Sequence, residues 1–330
     1  MILKEVYIKN KKVNLITLKN QNVELALLDI GATVYSLKTK DKNGKLENIV
    51  LQYKNIEEYI ENKSFFGSTV GRVASRIKDG LISIDGEKYT LDKNYLDKHT
   101  LHGGSSNIAI KQFGFEIICD NKVKFSHVQK STDDGFPGNL NIAVTYELLE
   151  NSVIIHYDAI SDKDTILNIT NHCYYNLSGD CKSNVLKHHL TVPAKNFVES
   201  DESLVPINIA ELPQGMDFST KTKIGDKLAK ESKYLSNGGI DHCYIVDGEV
   251  KLEDPVNGRQ LRVTSSYPAM QIYTCNYPAG HILANAKVQQ KFDAICFESQ
   301  FISVFDGVYD KHPMRLDKGD KYRHFIKLEF

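Results

Sequence analysis

The chain has 330 residues, 41% of them hydrophobic, and its 41 basic and 42 acidic side chains leave a formal net charge of −1. Charges of both signs are interspersed, so there is no basic face for a phosphate backbone and no juxtamembrane cluster; neither nucleic acid nor a membrane is expected as a partner. The amino-terminal MILKEVYIKNKK carries Lys4, Glu5, Lys9, Lys11 and Lys12, which interrupt any secretory apolar core, and no later apolar run reaches the length of a membrane span. A cytoplasmic protein is expected. Six cysteines (Cys119, Cys173, Cys181, Cys243, Cys275 and Cys296) lie far apart without a CxxC pair and read as free thiols filling core space.

In chain order, strand signals dominate. Residues 24–28 and 34–39 are the first expected strands, and Asn55 followed by Glu58 predicts a capping-box start for a short helix. Asp85-Gly86 between residues 82–84 and 87–91 predicts a two-residue hairpin on a type I′ turn. Strands at 115–119, 123–128, 142–149 and 153–160 follow. The stretch 168–179, NITNHCYYNLSG, has the β-branched and aromatic composition of a strand, with His172 inside it. A buried imidazole needs a partner or serves as a proton carrier near neutral pH.

After a strand at 190–192, residues 199–222 are polar and turn-rich, which predicts a long surface connection near a site. Residues 224–235 predict a second helix, ended by Asn237-Gly238-Gly239. A further Asp-Gly, at 247–248 between strands 243–246 and 250–252, reads as another hairpin. Strands at 261–265, 271–274, 294–298 and 325–328 complete the series. Strands this short and numerous predict an all-β protein, an antiparallel sandwich or barrel with few short helices. No linker interrupts residues 1–330, so a single domain is expected.

Four further segments accompany NITNHCYYNLSG: GRVASRI (71–77), LHGG (101–104), DHCY (241–244) and FESQ (297–300), with echoes in DDGFPGNL (133–140) and MQIYTCN (270–276). In this order, from about residue 67 to 300, they resemble the aldose 1-epimerase (galactose mutarotase) family. The resemblance implies a large antiparallel β-sandwich of the supersandwich type. It also implies an isomerase that interconverts the α and β anomers of aldohexoses such as glucose and galactose without metal or cofactor. Under it, Glu298 matches the general base and His172 the general acid. Arg76 and His102 match sugar-holding residues, Asp241 a carboxylate accepting from sugar hydroxyls, and Gln271 a further contact.

The residue types suit that chemistry, since one base and one acid suffice to open and reclose the ring. Glu298 ends an apolar run where partial desolvation would raise its pKa, although a strand-end carboxylate more commonly reaches solvent. His172 must be protonated to donate, so its pKa is expected near or above its ordinary value of about 6.5. Arg76 offers a planar fork of donors, with a surface ion pair as the plain alternative; Asp241 alternatively serves as a turn residue. Gly103-Gly104 would let backbone approach a ligand closely. Tyr174, two residues from His172, faces the site with it if the strand is regular, and Cys173 then points into the core.

Two positions depart from the family pattern. Ser75 stands where Asn is usual before the substrate arginine, so a sugar contact there is lost or water-bridged. Residues 301–306, FISVFD, replace a Pro-Asp-Ala type turn after FESQ. Three other readings compete. His102, His172 and a carboxylate form a conceivable metal triad, although no HxH or HExxH spacing is present and His188-His189 would face opposite sides of a strand. Asp241 and Glu298 suit a glycoside hydrolase. A sugar-binding protein without turnover is the third. The preferred aldose and the choice between monomer and homodimer are not set by the sequence.

Overall fold

The structure, a computed structural model, describes residues 1–8, 11–229, 235–303 and 305–330. Three antiparallel sheets dominate, as the strand count and turn spacing predict. The first is a five-stranded meander of Ile2–Ile8, Lys11–Lys19, Val23–Leu28, Thr33–Lys40 and Leu46–Asn48, in chain order. The nine-stranded sheet is built around Leu140–Leu148 and Ser152–Ser161. Period-two alternation buries Leu140, Ile142, Val144, Tyr146 and Leu148 on one strand and Val153, Ile155, Tyr157 and Ala159 on the other. Each Leu, Ile or Val among them, withdrawn from water, contributes about 1.5–3 kcal/mol. Tyr322–Glu329 lies inside this sheet, paired with both Ser152–Ser161 and Gln260–Ser265, so the last strand in sequence closes its centre.

The six-stranded sheet has the order Tyr174–Tyr175, Ile295–Gln300, Ala269–Tyr273, Asp241–Val246, Ala194–Ser200, Pro206–Glu211. It carries the strand residues of the site.

The hairpin of Leu81–Ile84 and Glu87–Thr90 forms as predicted, with Asp85 and Gly86 both at positive φ (52° and 80°). The second Asp-Gly does not make a hairpin. Asp241–Val246 belongs to the six-stranded sheet and Val250–Glu253 to the nine-stranded one, so the Asp247-Gly248 turn carries the chain between sheets. Only Gly248 of the pair has positive φ, which is not the backbone of a type I′ turn. Local turn chemistry signals a reversal but does not choose the strand's partner.

Asn55 precedes a 3₁₀ turn, Ile56–Ile60, and its side chain makes no capping bond. The second helix is Ile224–Leu228; residues 230–234 of the expected helix lie outside the described residues. The expected surface connection at 199–222 contains the edge strand Pro206–Glu211, missed because its exposed positions follow no alternation. Five cysteines are buried, whereas Cys119 is exposed, contrary to the core reading; all six are free. No helix among the described residues is long and apolar enough to cross a membrane.

Candidate active site

NITNHCYYNLSG does not form one continuous strand. Thr170–Asn171 pairs with Thr69–Val70, whereas Tyr174–Tyr175 pairs with Cys296 and Ile295 in the six-stranded sheet. His172 sits at the crossing. Its amide donates to the Ser68 carbonyl (2.9 Å), and its carbonyl accepts from the Gly67 amide (3.0 Å), which fixes the backbone from which the imidazole projects. Tyr174 does share its side: the rings stack with centroids 5.1 Å apart, and Cys173 is buried in the core as expected.

Opposite stands Ile295–Gln300, buried along its whole length. Alternation puts Cys296, Glu298 and Gln300 on one face, and Glu298 Oε1 comes within 3.5 Å of His172 Nε2. Gln271 is the cross-strand neighbour of Glu298. One strand further, Asp241 Oδ1 accepts from Gln271 Nε2 at 2.6 Å. The surface reading of Glu298 and the turn reading of Asp241 therefore both fail, because each is a buried strand residue.

Arg76 lies in one of two short strands that pair with each other, Arg76–Ile77 and Thr100–Leu101, with Ser75 just before the first and His102 just after the second. The His102 amide donates to the Ser75 carbonyl (3.0 Å), and the Ser75 amide donates to His102 Nδ1 (3.3 Å). The Arg76 guanidinium lies 4.8 Å from the centre of the Tyr95 ring, a cation–π contact, and its buried Nε has no protein partner. Every sequence-predicted site residue thus lines one cavity of about 390 Å³. Its walls also include Phe65, Tyr95, Tyr273, Tyr277, Glu202 and Gln300. Gln300 and Tyr273 lie inside recognised motifs; Phe65 and Tyr95 lie outside every recognised motif.

Other motif residues serve packing. Arg72 of GRVASRI donates from Nε to Asp134 Oδ2 of DDGFPGNL (2.8 Å), a pair with no solvent exposure. Gly103 meets backbone rather than ligand. A Cβ there would fall 2.1 Å from the Gly71 carbonyl oxygen, at a φ of 89° that favours glycine.

Burial governs the electrostatics. It pushes Glu298 up to about 8, reinforced by the Asp241 carboxylate and opposed by Arg76. The same desolvation pushes His172 down to about 4, with the Arg76 charge adding to the fall. The expectation of an imidazole near or above its ordinary value is overturned, because the cost of burying the cation outweighs the backbone hydrogen bond that opposes it. His102 is lowered well below its ordinary range, by burial first and then by His172 and Arg76, and Asp241 is raised by burial. Between about 4 and about 8 the Glu298–His172 pair therefore holds one proton. Donor atoms of His102, His172 and Glu298 lie within 4.8 Å of one another, a set able to converge on a divalent ion.

One shared proton between a carboxyl and an imidazole, at the floor of a cavity walled by hydroxyl-seeking donors, acceptors and aromatic faces, defines an acid/base enzyme for a small polyhydroxylated substrate. The aldose 1-epimerase family model matches residues 14–329. Galactose mutarotase of Homo sapiens is 30% identical over 322 residues, 95% of this chain and 92% of that protein. An aldose 1-epimerase of Haemophilus influenzae is 34% identical over 296 residues, 87% and 86% of the two chains. Among solved structures, the GalM/aldose epimerase homologue of C. elegans superposes with a TM-score of 0.88 at 29% identity, over 96% of this chain and 98% of that one. The chain belongs to the aldose 1-epimerase family. It is an isomerase, a mutarotase acting on sugar; the glycosidase reading draws no support from these relatives.

Proposed function

We propose that Glu298 and His172 are the proton carriers with which this mutarotase interconverts the anomers of free aldohexoses, glucose and galactose among them. The observation that carries the assignment is the 3.5 Å approach of Glu298 Oε1 to His172 Nε2 at the buried end of the cavity. At rest the shared proton lies on Glu298. Transfer across the pair gives a carboxylate and an imidazolium with the proton count unchanged; Arg76 favours the ionised carboxylate and opposes the imidazolium. No exchange with solvent is needed before chemistry.

Glu298 then removes the proton of the C1 hydroxyl while His172 Nε2 delivers its proton to the ring oxygen. The bond between C1 and the ring oxygen breaks and C1=O1 forms. After rotation about the C1–C2 bond, His172 takes the proton back from the freed hydroxyl as its oxygen attacks the other face of C1. Glu298 returns its proton to O1, and the pair is restored. Each well-placed proton carrier is worth about 10²–10⁴-fold.

Asp241 and Gln271, already bonded to each other, present an acceptor and a donor to vicinal hydroxyls; Arg76 and His102 hold the opposite side, Tyr174 backs His172, and Ser75 lies beside Arg76. Residues from Lys63 to Gln300 contribute to one cavity, which supports reading residues 1–330 as a single functional unit. Its place among enzymes of sugar metabolism supports a cytoplasmic setting. Polarimetry of freshly dissolved α-glucose and α-galactose tests the reading. Acceleration to the same final rotation is expected, and none with either sugar would overturn it.

A further inference from the structure

His172 has two ring nitrogens, and the strand Ile295–Gln300 faces both. Glu298 Oε1 lies 3.5 Å from Nε2, and Cys296 Sγ lies 3.8 Å from Nδ1. The two side chains are two residues apart, so the strand's own alternation delivers them to opposite edges of one imidazole. Aromatic neighbours restrict the ring further, with Tyr174 stacked at 5.1 Å and His102 edge-on at 5.3 Å. Resting on the acid/base reading above, we propose that Cys296 is a positioning residue for His172. Its sulfur holds the Nδ1 hydrogen toward the strand and leaves Nε2 as the nitrogen that gives and takes the proton.

The requirement is chemical. A histidine that shuttles a proton at Nε2 must keep a hydrogen on Nδ1 in both its neutral and its cationic form, so whatever faces Nδ1 must accept. A carboxylate there would stabilise the imidazolium strongly and weaken it as an acid. A thiol sulfur is a weak acceptor, enough to select the tautomer with little effect on acidity. Burial raises the Cys296 thiol well above its ordinary range, so no thiolate forms beside the ring. The other charged and titratable groups around the imidazole are Glu298, Arg76, His102 and Tyr174, whose phenol burial keeps neutral.

The test combines ¹⁵N NMR of the His172 ring with kinetics of Cys296→Ala, Cys296→Ser and Cys296→Asp. In the wild-type protein the neutral ring is expected to carry hydrogen on Nδ1. Cys296→Ala should populate both tautomers and lower kcat about ten- to a hundredfold with KM within about twofold. Cys296→Ser, which restores an acceptor, should recover kcat to within about threefold, and Cys296→Asp should move the acid limb of the kcat profile to higher pH. Hydrogen on Nε2 in the wild-type ring would overturn the proposal. So would Cys296→Ala keeping both the wild-type tautomer and the wild-type kcat. If Cys296→Ala does not fold, the wild-type and Cys296→Ser spectra decide. The tautomer is read without turnover, so an inactive wild-type protein would count against the acid/base reading and leave this inference to the spectra.

Discussion

Glu298 Oε1 and His172 Nε2 face each other across 3.5 Å with 4% and 6% of their side-chain surfaces exposed, and desolvation drives their proton affinities in opposite directions. Glu298 Oε2 is buried without a protein partner.

Removing either carrier should be severe. Glu298→Gln and His172→Asn are each expected to lower kcat by at least about a hundredfold while leaving the sugar's binding close to wild type. Polarimetric kinetics measure this, and a variant of either kind with near wild-type turnover would sink the assignment.

The pH profile of kcat/KM should be a plateau with limbs near 4 and 8, where the pair gains a second proton or loses its only one. Above the upper limb no acid remains; below the lower limb no base remains. A profile with its limb near 6.5 would show an imidazole titrating as though in water.

The same burial makes Glu298 costly to the fold. Its folded pKa of about 8 exceeds the ordinary value of 4.5, so the Glu298 contribution to stability is greatest below about 4.5, declines as pH rises, and levels off above about 8. Glu298→Gln removes that decline. Its unfolding free energy should match wild type near pH 4 and exceed it at pH 9 by on the order of a few kcal/mol, with a correspondingly higher melting temperature at pH 9 only. Calorimetry at the two pH values measures the difference; equal shifts at both would mean that Glu298 is not protonated by the fold.

Ser75 and Arg76 concern binding. Arg76→Ala is expected to act mainly on KM if its guanidinium, which lines the cavity, holds substrate as proposed. Ser75 has φ of 69°, a conformation asparagine adopts more readily than serine. Ser75→Asn should therefore be tolerated, and the restored amide should tighten a simple aldose by about 0.5–1.5 kcal/mol. Dissociation constants on the Glu298→Gln background report it. Weaker binding of glucose and galactose alike would mean that serine makes room for a substituted sugar.

What the sequence determined by itself was local or ordered along the chain. Period-two alternation placed Leu140–Leu148 and Ser152–Ser161, the Asp85-Gly86 turn paired its two strands, and the order of five motifs named Arg76, His102, His172, Asp241 and Glu298. These signals survive because side-chain alternation and turn geometry are set within a few residues. Tertiary structure decided the rest. The partners of the strands flanking Asp247-Gly248, the break in the strand at His172 and the arrival of Tyr95 and Phe65 at the cavity all depend on contacts distant in sequence. The location of the shared proton was decided the same way. Desolvation is a sum over everything packed around a group, and a sequence does not display that sum before the sheets close around it.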